Sequence, residues 1–306
     1  MTPGVLILTG QTASGKSAVA LELAERFGAE IVGADSRQIY RGMPVGTAAP
    51  GAQDRARVPH HLVEVLDPHE RYSAARFVAD ALAAIDDVHA RGKRVIVVGG
   101  TGFYVRALAG DVTLSPAYDA GVRERLSGEA RVHPPEVLAD WLHALAPARA
   151  AAIATNDPYR IVRALEVALV ERTMKTARDE DVDPRETLRS RGIAYRKLCL
   201  DVSLDVLEGR IAARVDAMLA NGFVQEAERT GADAVAADAV GYREALAYVA
   251  GFSTHAELRA HLIRNTRRYA KRQATWFRTE PGLVRVPAAD AFTHAVAQAG
   301  ALPGWA

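Results

Sequence analysis

The chain has 306 residues, of which 49% are hydrophobic and 25% charged, and its formal net charge is +1. This is enough for one large or two modest cores. The even balance excludes a disordered polyelectrolyte and makes any nucleic-acid footprint a local one. The single cysteine, Cys199, excludes a disulfide framework and a cysteine-based zinc cluster. Within Leu198-Cys199-Leu200 it reads as a small buried strand residue. No basic stretch precedes the first apolar run, and no apolar run reaches bilayer length, so a soluble, reducing, cytoplasmic setting is expected.

The first strand, Val5–Thr9, leads directly into Gly10-Gln11-Thr12-Ala13-Ser14-Gly15-Lys16-Ser17. This run satisfies the G-x-x-x-x-G-K-[ST] pattern of a phosphate-cradling loop. Ala18, Leu21, Leu23, Ala24 and Phe27 then mark the apolar face of a helix that Gly28 ends. In that context the backbone N–H groups point at an anion. Lys16 would reach a terminal or leaving phosphate, and the Ser17 hydroxyl would touch Mg²⁺. The loop alone does not settle the reaction.

A second strand, Glu30–Ala34, ends on Asp35-Ser36-Arg37-Gln38. Ligands of open α/β sheets bind beyond the carboxyl ends of the strands, so Asp35 should face the same crevice as the loop. A carboxylate there suits a general base or a magnesium ligand, or else caps a following helix. The stretch from Arg41 to Arg71, with Pro44, Pro50, Pro59 and Pro68, reads as long and irregular. A helix over Ala74–His89 places Phe77, Leu82, Ile85 and Val88 on one face. The strand Arg94–Val98 closes on Gly99-Gly100-Thr101-Gly102, where nucleotide-hydrolysing proteins with this loop hold an Asp. Here glycines admit backbone to a ligand and Thr101 offers an uncharged hydroxyl, or caps the next helix. The missing acid counts against a motor or GTPase and weakens the case for a kinase.

Between about Gly110 and Gly192 strand alternation vanishes and helical pieces such as Glu136–Leu145 and Tyr159–Glu171 dominate. Lys175–Arg191, charged and poor in large apolar residues, is expected to be a mobile loop. Tyr195–Val202 returns as a core strand, followed by helices over Leu207–Gly222, Tyr242–Val249 and His255–Phe277. The expected architecture is α/β: a P-loop NTPase-like parallel sheet flanked by helices (1–112 and 193–306), with an inserted helical subdomain over 113–192. From Arg259 to Arg278 seven basic residues occur with no acid, and Arg264, Arg268 and Arg272 repeat every four residues beside Lys271. Tyr269, Trp276 and Phe277 interleave with them. A single-signed stripe on a nearly neutral chain favours a polyanion over a solvated face. The smaller sets Arg160/Arg163 and Arg210/Arg214 fit a polyanion or ion pairs with Glu166 and Asp216.

With these motifs in place the chain resembles the tRNA dimethylallyltransferase (tRNA isopentenyltransferase) family over nearly its whole length. The carrying segments are Gly10–Ser17, Asp35 to Met43, Val45-Gly46-Thr47-Ala48, Pro59-His60-His61-Leu62, Val98 to Thr101, Asn156-Asp157-Pro158, Arg163 to Val167, Val240-Gly241-Tyr242 and Lys271 to Phe277. The resemblance implies transfer of a dimethylallyl group from its diphosphate to N6 of the adenosine immediately 3′ of the anticodon. It further implies that Gly10, Gln11, Thr12, Ala13, Ser14, Gly15, Lys16, Ser17 and Arg214 hold the diphosphate, with Mg²⁺ on Ser17. Asp35 would be the general base and Thr101 would donate to the bridging oxygen. Ser36, Arg37 and Gln38 would contact the target nucleotide, flipped from its stack, Gln38 reading the adenine edge. Arg123, Tyr159, Arg160, Arg163, Gly241, Tyr242, Arg243, Arg268 and Arg272 would face the anticodon stem-loop, and the enzyme is expected to be a monomer. Ala49 stands where the family usually has Lys, and Gln11 where proline is frequent. The competing readings are an isopentenyltransferase acting on free adenine nucleotides, a P-loop nucleotide kinase, and an RNA-binding module with an inert loop.

Overall fold

The computed structural model describes residues 2–114, 119–173 and 186–305. Its centre is a six-stranded sheet in the order β3-β2-β4-β1-β5-β6. The strands are β1 (Val5–Gly10), β2 (Ala29–Gly33), β3 (His60–His61), β4 (Arg94–Gly99), β5 (Tyr195–Asp201) and β6 (Leu283–Pro287). All pairs are parallel, with Leu8 of β1 opposite Val98 on one side and Leu198 on the other. Val5, Leu6, Ile7 and Leu8 are wholly buried, because helices cover both faces of a parallel sheet. Each such side chain contributes about 1.5–3 kcal/mol of burial. The chain leaves β1 toward the β2 side and leaves β4 toward the β5 side, which opens a crevice at their carboxyl ends.

The chain divides into two compact units, Met1–Val112 with Glu186–Ala306, and Thr113–Arg185. Residues 186–192, read from sequence as part of the insertion, fold with the first unit. Leu188 is fully buried, its N–H donates to the Leu108 carbonyl at 2.9 Å, and Arg189 donates to the Gly110 carbonyl at 3.1 Å. Of the expected loop Lys175–Arg191, residues 175–185 lie outside the described residues, and the rest form a tight turn in which Thr187 and Ser190 exchange hydrogen bonds. In the second unit helices Ala120–Val132, Pro135–Leu145 and Pro158–Thr173 pack around Leu126, Leu138, Leu142, Ile161 and Leu165.

In the first unit the helices Lys16–Phe27 and Ala74–Ala90 flank the sheet, the latter capped by Ser73, which accepts from the Arg76 N–H. Leu204–Ala220, Tyr242–Val249 and His255–Phe277 follow. The last opens with a capping box of Thr254 and Glu257. Several elements had no strong sequence signal, among them β3, β6 and the helices Phe223–Thr230 and Ala291–Gly300, and the stretch expected to be irregular holds the short helices Pro44–Thr47 and Ala52–Arg57. The two-residue β3 is polar, and β6 is an edge strand with three of its five residues exposed. Cys199 is buried as expected, and burial pushes its thiol up to about 11. Among the described residues no helix is long and apolar enough to cross a membrane.

Candidate active site

The phosphate loop joins β1 to the helix Lys16–Phe27 and is shaped by backbone constraints. A Cβ on Gly10 would lie 2.8 Å from the Ser14 hydroxyl oxygen, and Gly15, at φ 93°, starts the helix. No side chain caps that helix, so its first N–H groups stay available to an anion. Ala13 holds φ 63°, a left-handed conformation that costs a non-glycine residue about 1–2 kcal/mol. Two arginines from Leu204–Ala220 hold the loop in place. Arg210 donates to the Ser14 carbonyl at 3.1 Å and Arg214 to the Thr12 hydroxyl at 3.1 Å. Neither pairs with Asp216, which is taken by Arg259 at 2.6 Å. Burial lowers the Lys16 pKa, with Asp35 opposing the shift and Arg214 adding to it. Burial likewise lowers that of Arg214. Lys16, Arg214 and Asp35 line one cleft of about 250 Å³.

A close backbone contact brings the second part of the site to the first. A Cβ on Gly99 would sit 1.9 Å from the Ala34 carbonyl oxygen, so only glycine lets the ends of β2 and β4 meet. As a result the Ser36 N–H donates to Thr101 Oγ1 at 3.0 Å, and the Thr101 hydroxyl reaches Ser36 Oγ at 3.3 Å. Thr101 stands at the N-cap of the helix Gly102–Ala109 but makes no side-chain cap bond. Asp35 does not cap a helix either. Its Oδ1 accepts from the Arg37 N–H at 3.0 Å in an Asx turn, and the next helix along the chain starts only at Pro44.

The neighbouring residues are more committed than the sequence implied. Gln38 donates its amide N–H groups to the carbonyls of Thr47 at 3.1 Å and Ala48 at 2.8 Å. It therefore has only its amide oxygen left for the adenine edge. Arg37 pairs with Asp238 at 2.6 Å. Tyr242 is fully buried, with its hydroxyl donating to Glu226 at 2.7 Å, and Gly241 packs against Leu262 and Phe223. Both are therefore core positions and not the RNA-facing residues expected. The buried Glu226 also accepts from the N–H groups of Val45 at 2.8 Å and Gly46 at 2.7 Å, which anchors the loop opposite Gln38. Arg243, beside them, is exposed.

The helix His255–Phe277 presents two faces. Leu258, Leu262, Ala270, Gln273 and Phe277 are buried, whereas Arg264, Arg268, Lys271 and Arg272 are exposed. Among the described residues these four form no ion pair. Arg259 and Arg267, counted with them from sequence, are neutralised by Asp216 and Glu208. Arg272 borders the cleft, its guanidinium 5.7 Å from the centre of the Tyr269 ring. In the second unit Arg163 and Arg123 close on the buried Glu166 at 2.9 and 3.3 Å, so the ion-pair alternative holds there. Arg160 pairs with Asp157 at 3.3 Å, and Tyr159 is 67% exposed.

Gln273, within the Lys271 to Phe277 motif, joins the two loops of the site. Its Oε1 accepts from the Thr12 N–H at 2.8 Å and its Nε2 donates to the Gly100 carbonyl at 2.9 Å. The available signal was a glutamine on the apolar stripe of an amphipathic helix. Ser17 is exposed at the start of its helix. Among the described residues no group of three or more His, Cys, Asp or Glu side chains is arranged to hold a metal. The one protein oxygen that the expected magnesium ion would use is the exposed Ser17 hydroxyl, which leaves the rest of its shell to substrate oxygens and water.

A family model described as IPP transferase matches residues 38–280. The tRNA dimethylallyltransferase of Geobacter metallireducens is 44% identical over 289 residues, which cover 92% of either chain. That of Halorhodospira halophila is 43% identical, covering 95% of this chain and 94% of its own. Among solved structures, the full-length tRNA isopentenylpyrophosphate transferase of Bacillus halodurans is 34% identical with a TM-score of 0.65, covering 93% of this chain and 90% of that one. A eukaryotic dimethylallyltransferase acting on tRNA is 26% identical with a TM-score of 0.73, covering 96% of this chain and 77% of that one.

Proposed function

Because the chain belongs to the IPP transferase family, we infer that it moves a dimethylallyl group from dimethylallyl diphosphate to tRNA. The acceptor atom is N6 of the adenosine immediately 3′ of the anticodon. One observation carries this reading: Asp35 and Ser36 line a cleft with Lys16 and Arg214, and Thr101 is hydrogen-bonded to Ser36, beside a phosphate loop whose usual strand-end acid is replaced by Gly99. A carboxylate and a neutral hydroxyl there suit an amine acceptor and a departing anion, and not water activated on a metal.

The N6 lone pair forms the new N–C bond to C1 of the dimethylallyl group as the C1–O bond to diphosphate breaks. The N6 proton passes to Asp35, whose Oδ1 is fixed by the Arg37 N–H so that the carboxylate is held in orientation. Thr101 exchanges its 3.3 Å bond to Ser36, long for a hydroxyl donor, for the bridging oxygen. Lys16, Arg214 and the N–H groups of Gly15 to Ser17 take up the charge that develops on the diphosphate. Magnesium, held by Ser17 and the diphosphate, would supply further charge neutralisation. Gln38 accepts from the adenine amine, and Ser36 and Arg37 border the same base. The exposed Arg264, Arg268, Lys271, Arg272 and Arg243 follow the RNA backbone. In the helical unit Tyr159 and Arg160 face the anticodon stem-loop, while Arg123 and Arg163 hold the unit together. These exposed cations favour tRNA over a free nucleotide.

The test is incubation with dimethylallyl diphosphate and either unmodified tRNA or AMP, followed by mass analysis of nucleosides. A prenylated adenosine from tRNA alone is expected. Product from AMP with untouched tRNA would overturn the choice of acceptor. No product from either would return the phosphoryl-transfer alternative.

A further inference from the structure

Gln273 has no chemical role in the reaction above, yet it is a buried polar side chain, 6% exposed, that bridges the two loops framing the cleft. Its amide orientation is forced. Oε1 faces the Thr12 N–H and Nε2 faces the Gly100 carbonyl, and a flipped amide would set like against like at both ends. Gly100 makes room for it, since a Cβ there would lie 2.4 Å from Nε2.

This bridge limits what the phosphate loop can hold. In loops of this pattern the backbone N–H groups cradle the inner phosphates and the lysine reaches the outer ones. Here the Thr12 N–H is already donated to Gln273, the Thr12 hydroxyl oxygen accepts from Arg214, and the Ser14 N–H goes to the Gln11 carbonyl at 3.2 Å. At the inner end the N–H groups of Gly15, Lys16 and Ser17 open the helix with no side-chain cap. A longer polyphosphate would continue past Lys16 into the cleft, whose wall there is Thr12 and Gln273. It would meet there a backbone amide already donated to Gln273 and the Gln273 side chain itself.

Resting on the reading of this loop as a diphosphate site, we propose that Gln273 is the specificity-determining residue that confines it to two phosphates. It does so by occupying both the Thr12 N–H and the space beside it. The favoured ligand class is a diphosphate ester, and nucleoside triphosphates are disfavoured.

The experiment is calorimetric titration of the full-length protein with pyrophosphate and with tripolyphosphate, both with magnesium. Tripolyphosphate carries more charge, so a cleft without such a filter would bind it more tightly. The wild type is expected to prefer pyrophosphate by about tenfold or more, the scale of a displaced or unpaired hydrogen bond. Gln273→Ala, which frees the N–H and opens the space, should shrink that preference by about tenfold. Gln273→Met, of similar length without the amide, should shrink it less. The readout is a ratio of affinities on one preparation, so a reduced folded fraction cancels. Equal binding of the two anions by the wild type, or an unchanged ratio in both variants, would overturn the proposal. Failure of the wild type to bind pyrophosphate at all would overturn the diphosphate reading itself.

Discussion

Asp35 has one carboxylate oxygen tied into a turn by the Arg37 N–H at 3.0 Å, and asparagine can keep that bond through its amide oxygen. Asp35→Asn should therefore preserve the turn and remove only the base. Single-turnover prenylation of tRNA is expected to slow by about 10²–10⁴-fold, with pyrophosphate affinity close to that of the parent. A matching loss of pyrophosphate affinity would show that Asp35 shapes the loop and does not take the proton. Glu30 allows a second test, of stability. It is 4% exposed, and the Arg91 guanidinium, with His61 at 2.7 Å, holds its carboxyl at about 2, down from 4.5. The folded state thus binds this proton at lower pH than the unfolded chain does. The stabilisation is complete above about 4.5 and is lost as pH falls toward about 2. In Glu30→Gln, denaturant unfolding across that window should take up about one proton fewer. An unchanged acid limb would show that the Arg91 pair contributes nothing.

The helix His255–Phe277 links the phosphate loop to the exposed basic stripe. One face reaches the phosphate loop through Gln273, and the other carries Arg264, Arg268, Lys271 and Arg272 into solvent. The exposed cations should govern the salt dependence of tRNA binding. Arg268→Ala or Arg272→Ala is expected to reduce the slope of log affinity against log salt by about 0.7–0.9. Arg259→Ala should leave that slope unchanged, because Asp216 already neutralises this guanidinium at 2.6 Å. Filter binding at several salt concentrations distinguishes them, and equal slopes in all three variants would make the stripe an ordinary solvated face. The seven-cation run gave the position of this surface but not its membership. Which arginines are paired depends on Asp216 and Glu208, on a helix far away in sequence.

At the level of the whole molecule, the first unit closes on itself where the second leaves it. The Leu188 N–H meets the Leu108 carbonyl at 2.9 Å, so the flanking segments are already adjacent. Replacing residues 113–185 with a short Gly/Ser linker should give a folded protein with parental pyrophosphate affinity and weakened tRNA binding. Unchanged tRNA affinity would place the stem-loop contacts entirely on the first unit. The same division separates what was legible from what was not. The phosphate loop, strands β1, β2, β4 and β5, and the helix His255–Phe277 were readable because each is a local pattern: an apolar run, a 3.6-residue stripe, or glycines at fixed spacing. Sequence alone therefore determined that a phosphate-cradling pattern lies at Gly10–Ser17 and that Asp35 and Thr101 each follow the end of a strand. The contacts across the molecule were decided only by the tertiary structure. Gly99 lets β2 touch β4, Gln273 saturates Thr12, Tyr242 turns into the core, and Arg123 and Arg163 are spent on Glu166. The physical reason is that periodicity records which face of an element is buried. The partner that meets that face comes from chain tens to hundreds of residues away, and hydrogen bonds and charges are matched only when the two are packed together.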